Sequence, residues 1–189
     1  MINATGVESF MVWNGAFTAA ELDDITRYGD ALRQETATIK GDQTLHELNS
    51  IRIARIAWID DKPETRWLYD KMSALALSFN AQTYGFDLGA LEKLQYTVYH
   101  AGEGGHYDWH VDHGPVGRRR KFSLVLQLSE AADYEGCELQ IHASNRIDTV
   151  PKERGALIGF ASYSLHRVTP ITAGTRKSLV MWCSGPRLR

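Results

Sequence analysis

The chain has 189 residues, with 21 Lys and Arg against 23 Asp and Glu and a formal charge of −2, so it carries no overall field to collect nucleic acid or an anionic membrane surface. That length predicts one domain, 1–189, with a core large enough to need no disulfide staples. The opening MINATGVESFMVWNG has no cationic start followed by an apolar run, and no stretch of 18 apolar residues occurs, so neither a leader nor a membrane span is expected.

Thr18 and Glu21 have capping-box spacing ahead of Leu22, Ile25 and Leu32, which predicts a helix over 18–35. SIRIARIAWID then alternates apolar and polar residues and reads as a strand burying Ile51, Ile53 and Ile56 or Ala57. A second helix is expected from near Pro63, with Trp67, Leu68, Met72, Leu75, Leu77 and Phe79 in helical period and Gly85 at its C-terminal cap. Residues 1–90 thus read as mainly helical support. Between the helices, residues 36–50 (TATIKGDQTLHELNS) are a candidate lid.

After residue 90 the pattern changes to LQYTVY, KFSLVLQL, CELQIHA, ALIGF, HRVTPI and RKSLVMWC, short strands separated by glycine-bearing turns. The expectation is a mainly β fold with flanking α-helices, a sandwich or barrel of antiparallel strands over about 91–185 with its site in the mouth. Cys137 and Cys183 fall in these strands without CxxC or Cys/His finger spacing, which predicts reduced core thiols and a cytoplasmic location.

The stretch HYDWHVDHG, 106–114, holds three histidines and two aspartates. Residues two apart on a strand share a side, so His110 and Asp112 converge while His106 and His113 need not. The pair alone is weak evidence, but His166 follows 54 positions after Asp112, between ALIGF and RVTPI, and offers a third ligand from a distant strand. Two neutral imidazoles and one carboxylate on one face of an octahedral ion suit Fe(II) and leave positions open. Ten residues on, Arg176 carries a planar guanidinium suited to grip the far carboxylate of a dicarboxylic acid. His46, His100 and His142 show no second metal spacing and read as surface or structural residues. The run RRRK, Arg118 to Lys121, reads as a solvated loop.

YHAGEGGHYDWHVD (99–112), RKFSLVLQLSEAADYEGCEL (120–139) and GALIGFASYSLHRVTPITAGTRKSLVMW (155–182) together resemble the Fe(II)- and 2-oxoglutarate-dependent oxygenases, in the prolyl-4-hydroxylase-like branch that includes PKHD-type hydroxylases. The resemblance covers about 94–184. It implies a double-stranded β-helix, the cupin-like jelly roll, with iron on His110, Asp112 and His166 and the 2-oxoglutarate C5 carboxylate on Arg176. It further implies that Tyr99 and Trp182 border the 2-oxoglutarate pocket, that Ser178 adds a hydroxyl, and that Gln127 stands where relatives place a supporting tyrosine. Cys137 replaces the second glycine of a Tyr-x-Gly-Gly pattern. The implied reaction consumes 2-oxoglutarate and O2, releases succinate and CO2, and hydroxylates a C–H bond; Asp112 leaves no room for the halide of related halogenases. Tyr107, Trp109 and His113 are candidate substrate contacts, with Trp109 equally able to be an outward-facing core anchor. A prolyl or other residue of a protein or peptide is the expected substrate, with a free amino acid or small metabolite as the alternative and a non-catalytic metal sensor as the third reading. Nucleic acid repair is disfavoured, because Trp182 occupies the position of that group's second arginine.

Overall fold

The computed structural model describes residues 9–37, 51–89, 91–112, 119–143 and 145–186. His46, His113, Arg118 and lid residues 38–50 lie outside them. The order is β1 (Met11–Trp13), α1 (Ala19–Ala31), β2 (Glu35–Thr36), β3 (Arg52–Ile53), β4 (Arg55–Ile59), α2 (Arg66–Gln82), β5 (Leu94–His100), β6 (His106–His110), β7 (Arg120–Gln127), β8 (Tyr134–Gly136), β9 (Leu139–Ala143), β10 (Arg146–Thr149), β11 (Leu157–Ala161), β12 (His166–Val168) and β13 (Ile171–Ser184).

Among the described residues the strands form two antiparallel sheets. The larger runs β1-β11-β7-β13-β5-β4-β2, with β8 paired to the start of β13, and the smaller runs β10-β9-β12-β6-β3. This is the expected mainly β architecture, a double-stranded β-helix backed, among the described residues, by helices α1 and α2.

Alternation along the strands sorts the side chains into two cores. Leu94, Tyr96 and Val98 of β5, Phe122, Leu124 and Leu126 of β7, and Leu179, Met181 and Cys183 of β13 face the helices, where Leu22, Ile25, Leu68, Met72 and Phe79 cover them. Burying a side chain of this size contributes roughly 1.5–3 kcal/mol. The opposite face of the larger sheet supplies Ile56, Tyr99, Val125, Ile158 and Phe160 to a second core shared with Leu139, Ile141 and Val168 of the smaller sheet. The site lies between the sheets, on the polar members of that inner face.

Helix α1 has the expected capping box, Glu21 N–H donating to Thr18 Oγ1 and Thr18 N–H to Glu21. It ends at Ala31, four residues short of the predicted end, where the chain turns into β2. Gly29 is where α1 crosses β5: a Cβ there would lie 2.5 Å from the Tyr96 ring. Helix α2 begins at Arg66 rather than near Pro63, and Gly85, at φ +59°, closes its end by donating to Asn80 O. The single strand expected in SIRIARIAWID is two: β3 joins the smaller sheet and β4 the larger, with Ala54 at the crossing. Ile56 and Ala57 are both buried, whereas Ile51 and Ile53 are half-buried.

Cys137 and Cys183 are free, buried thiols. Cys137 adopts φ +51°, so the position keeps a left-handed backbone without a glycine, a conformation that costs an L-residue roughly 1–2 kcal/mol. The basic run is a solvated loop only in part: Arg119 is exposed ahead of the strand, but Arg120 and Lys121 open β7, and Lys121 is buried. No described helix is long and apolar enough to cross a membrane.

Candidate metal centre

His110 ends β6 and His166 begins β12, and the two are direct cross-strand partners. Two residues of β12 span three of β6 between the pairs His166↔His110 and Val168↔Tyr107, so β6 carries a bulge at 108–109. The bulge turns Tyr107 and His110 to the same side, with their rings stacked 3.4 Å apart. Asp112 lies just beyond the strand, its N–H donated to Ser162 O.

The ligand atoms of His110, Asp112 and His166 all lie within 4.8 Å of one another. His110 Nε2 is 3.7 Å from Asp112 Oδ1, and His166 Nε2 is 3.5 Å from Oδ2. Metal bonds of about 2.1 Å would place adjacent donors about 3 Å apart, so binding an ion would draw the two imidazoles in toward the carboxylate. Each imidazole accounts for its other nitrogen, Nδ1 lying 2.7 Å from Asp108 O in His110 and 2.8 Å from Ser164 O in His166. Both therefore donate from Nδ1, so that each ring when neutral turns its Nε2 lone pair inward, while a protonated His166 points Nε2–H at Asp112 Oδ2. Asp112 Oδ2 accepts from Trp182 Nε1 at 2.8 Å and Ser123 Oγ at 2.9 Å, and Ser123 is linked to Ser162. These donors leave Oδ1 toward His110. The residues present fit a divalent ion with open positions.

Burial, with repulsion from His166, pushes His110 down to about 3, which keeps it neutral and ready to ligate. Burial also opposes ionisation of Asp112, but hydrogen bonds from His166 and Trp182 and the nearby imidazoles outweigh it and hold the carboxyl below its usual range. For His166 burial is likewise overridden by the Asp112 carboxylate, and its pKa is raised.

Arg176, 2% exposed, projects from β13 into the space between the sheets. Its Nε and Nη2 donate to Gln127 Oε1 at 3.2 and 2.9 Å, and Gln127 Nε2 donates to Pro151 O at 3.0 Å. The Tyr134 hydroxyl and Cys137 thiol also reach the guanidinium, and Tyr99 lies beneath it, 5.7 Å from ring centroid to Cζ. None of these is an acid. A buried guanidinium without a carboxylate partner among the described residues is poised for an incoming anion. Ser178, also buried, pairs with Gln127 across the sheet and faces the same way as Arg176.

The structure thus brings together His110, Asp112, His166, Tyr99, Gln127, Arg176, Ser178, Trp182 and Tyr107. Trp182 serves the metal carboxylate directly through its indole N–H, and its other face carries the Arg120 guanidinium, 3.8 Å from Cζ to the ring, which forms a two-point ion pair with Glu92. Trp109 is a correction. It stacks on Arg167 and His142, and Arg167 points away from its inward neighbours His166 and Val168. Next to the inward-facing His110, Trp109 lies on the outer face of the smaller sheet, as alternation along β6 requires.

Sequence reading missed Ser123, Ser162, Phe160 and Arg52. The signal for Ser123 was an isolated hydroxyl in KFSLVLQL, at the same parity as Gln127. Phe160 packs its ring 4.7 Å from His166. Arg52 sits on β3, opposite Tyr107, and nothing local in the sequence marks it.

Residues 94–184 match the sequence model of the 2OG-Fe(II) oxygenase superfamily. A PKHD-type hydroxylase of Hyphomonas neptunium is 36% identical over 87 residues, 43% of this chain and 39% of that protein. Another, of Psychrobacter sp., is 34% identical over 125 residues, 60% of this chain and 48% of that protein. The chain therefore spans less than half the length of these curated relatives. A crystal structure of a Pseudomonas putida prolyl-4-hydroxylase superposes with a TM-score of 0.74 at 25% identity, covering 95% of this chain and 94% of that one. A Trichoplax adhaerens prolyl hydroxylase, solved in complex with a hypoxia inducible factor peptide fragment, gives 0.75 at 18% identity, over 93% and 83%.

Proposed function

We propose, for a chain whose residues 94–184 belong to the 2OG-Fe(II) oxygenase superfamily, that it hydroxylates an unactivated C–H bond of a prolyl or other residue in a protein or peptide. The reaction consumes 2-oxoglutarate and O2 and releases succinate and CO2. One observation carries this reading: three inward-facing ligands lie beside a buried arginine that has no acid of its own. When bound, iron and the keto acid supply the oxidising chemistry, one oxygen atom going to succinate and the other to the substrate.

The chain's residues position and shield that chemistry. His110, Asp112 and His166 hold the iron, and their Nδ1 and Oδ2 contacts fix the ligand directions before metal arrives. Arg176 receives the C5 carboxylate, with Ser178 beside it and Tyr99 forming the floor. Gln127 already occupies the Nε edge of Arg176, so it orients the guanidinium where relatives place a tyrosine. Phe160 and Trp182 border the ligands and keep bulk water from them. Tyr107 presents its face on the substrate side of His110.

The prolyl-4-hydroxylase neighbour from Pseudomonas putida and the peptide held by the Trichoplax neighbour support a peptidyl substrate. A free amino acid or small metabolite is the second reading, favoured by Arg52 beside Tyr107, whose buried Nε has no hydrogen-bond partner. A metal sensor has no use for a buried dicarboxylate anchor. The test is succinate release from 2-oxoglutarate by the Fe(II)-loaded protein, with proline-containing peptides and with free amino acids. Substrate-dependent release is expected, and a complete lack of Fe(II)-dependent decarboxylation would overturn the reading.

A further inference from the structure

Arg52 presents a feature that the iron and 2-oxoglutarate sites leave unused. Its Nη2 donates to Gln95 Oε1 at 3.1 Å, bridging β3 of the smaller sheet to β5 of the larger, and Gln95 is itself held by Thr97. Its Cζ stands 4.5 Å from the Tyr107 ring centroid, and Tyr107 stacks on the metal ligand His110. Tyr107 thus touches both the Arg52 guanidinium and a ligand of the candidate metal centre. Arg52 Nε is buried and has no hydrogen-bond partner. Leaving a charged donor in that condition is costly unless a ligand completes it.

Charge points the same way. No acid forms an ion pair with Arg52 or Arg176 among the described residues, while Arg120 nearby is neutralised by Glu92. A divalent ion on one aspartate leaves one positive charge, and the two arginines raise it to three. The dianion of 2-oxoglutarate removes two. One positive charge remains, and the guanidinium with a donor still unmatched is Arg52, through its Nε, whereas Arg176 is turned to Gln127, Tyr134 and Cys137.

We propose that Arg52 is a specificity-determining residue that binds a carboxylate of the substrate being hydroxylated, placing that substrate across Tyr107 beside the iron. The inference rests on the hydroxylase reading above and narrows its substrate to one bearing a carboxylate near the oxidised carbon. Three sources offer that group: a free amino acid, a peptide C-terminus, or an Asp or Glu side chain next to the target residue. The planar fork of arginine suits the bidentate carboxylate, and the aromatic face beneath it holds the fork in plane.

The experiment uses the full chain loaded with Mn(II) and 2-oxoglutarate, whose binding is measured first. Three sets of probes are then titrated by equilibrium binding: the twenty amino acids against their carboxamides, proline-containing peptides with free against amidated C-termini, and the same peptides with Asp against Asn beside the proline. At least one carboxylate probe is expected to bind about tenfold or more tightly than its neutral partner, and the set that shows the preference identifies the source. In Arg52→Gln the preference is expected to collapse toward unity with the 2-oxoglutarate affinity retained, and Arg52→Lys, which restores the charge, is expected to recover part of it. The assignment is overturned if the unaltered protein shows no carboxylate preference in any set, if Arg52→Gln keeps it, or if Arg52→Gln instead weakens 2-oxoglutarate. Failure to bind metal and 2-oxoglutarate would sink the hydroxylase reading itself, whereas intact binding of both without a carboxylate preference sinks the Arg52 assignment alone.

Discussion

Arg176 pairs its charge with the Oε1 of Gln127, a thiol and a phenol rather than an acid. Replacing it therefore has opposite effects on two properties. Arg176→Met removes a buried unpaired charge, so metal-free stability is expected to hold or rise, while 2-oxoglutarate affinity falls about 10- to 100-fold with loss of a charge-assisted contact. Isothermal titration and thermal melting measure the two, and unchanged keto-acid affinity would remove Arg176 from the site. Trp182→Phe isolates the indole N–H that holds Asp112 Oδ2: metal affinity is expected to drop about tenfold, with the ring contact to Arg120 largely kept. The two histidines shift in opposite directions, which sets the pH response. His110, pushed down to about 3 by burial, stays neutral in the fold while the unfolded chain takes up a proton below about pH 6.5. Stability thus falls as pH drops from about 6.5 toward 3, by up to about 1.4 kcal/mol per unit. His166 is raised because Asp112 overrides its burial, so metal must displace its proton at any pH below that raised value. Affinity is expected to fall about tenfold per unit there, and metal titrations from pH 5.5 to 8 that gave a flat profile would exclude this linkage.

Helix α1 is held on the larger sheet by one close approach, Gly29 over the Tyr96 ring, and by the Tyr96 hydroxyl donating to Asp30 at 2.8 Å. Gly29→Ala adds helix propensity worth about 1 kcal/mol, but the new methyl meets a ring that cannot retreat from a full core, at about 1–3 kcal/mol. The clash should win, lowering the melting temperature by a few degrees; an unchanged or raised value would show that α1 lifts freely. Such contacts explain which elements were legible from sequence. The capping box of α1 and the strands of residues 94–183 could be read because their signals are local: Thr18 with Glu21, and short runs rich in β-branched and aromatic residues, such as LQYTVY and RKSLVMWC, between glycine-bearing turns. The metal triad was legible because His110 and Asp112 are close in sequence and His166 opens its own strand. The split of SIRIARIAWID was not, since Ile53 and Ile56 look alike until two sheets compete for them. Trp109, next to the inward-facing His110, falls on the outer face by simple alternation, whereas the inward placement of Tyr107 could not be read because it comes from the bulge at 108–109, a change determined by pairing with β12. Arg52 was invisible for the same reason, as its meaning comes from Gln95 and Tyr107 on other strands.

At the scale of the whole molecule the metal centre is a seam between sheets. His110 and His166 belong to the smaller sheet, whereas Asp112 is tied to the larger one by Ser123 of β7 and Trp182 of β13. An ion bound by all three is a cross-link between the two walls of the jelly roll, and it also relieves the repulsion between two imidazoles whose ring centroids are 4.1 Å apart. Binding to the native state alone stabilises it by about 2.7 kcal/mol at a free metal concentration a hundred times Kd. For a domain of this size that corresponds to a rise of about 5–10 °C in Tm. The metal-loaded protein should therefore melt that much higher than the chelator-treated one, with slowed amide exchange in β6 and β12, the strands that the ion fastens to the larger sheet. Asp112→Ala removes the link to the larger sheet while leaving both imidazoles, so it should lose most of the increment. A full increment in Asp112→Ala would mean that the histidines alone hold the ion within the smaller sheet and that the seam is closed by packing.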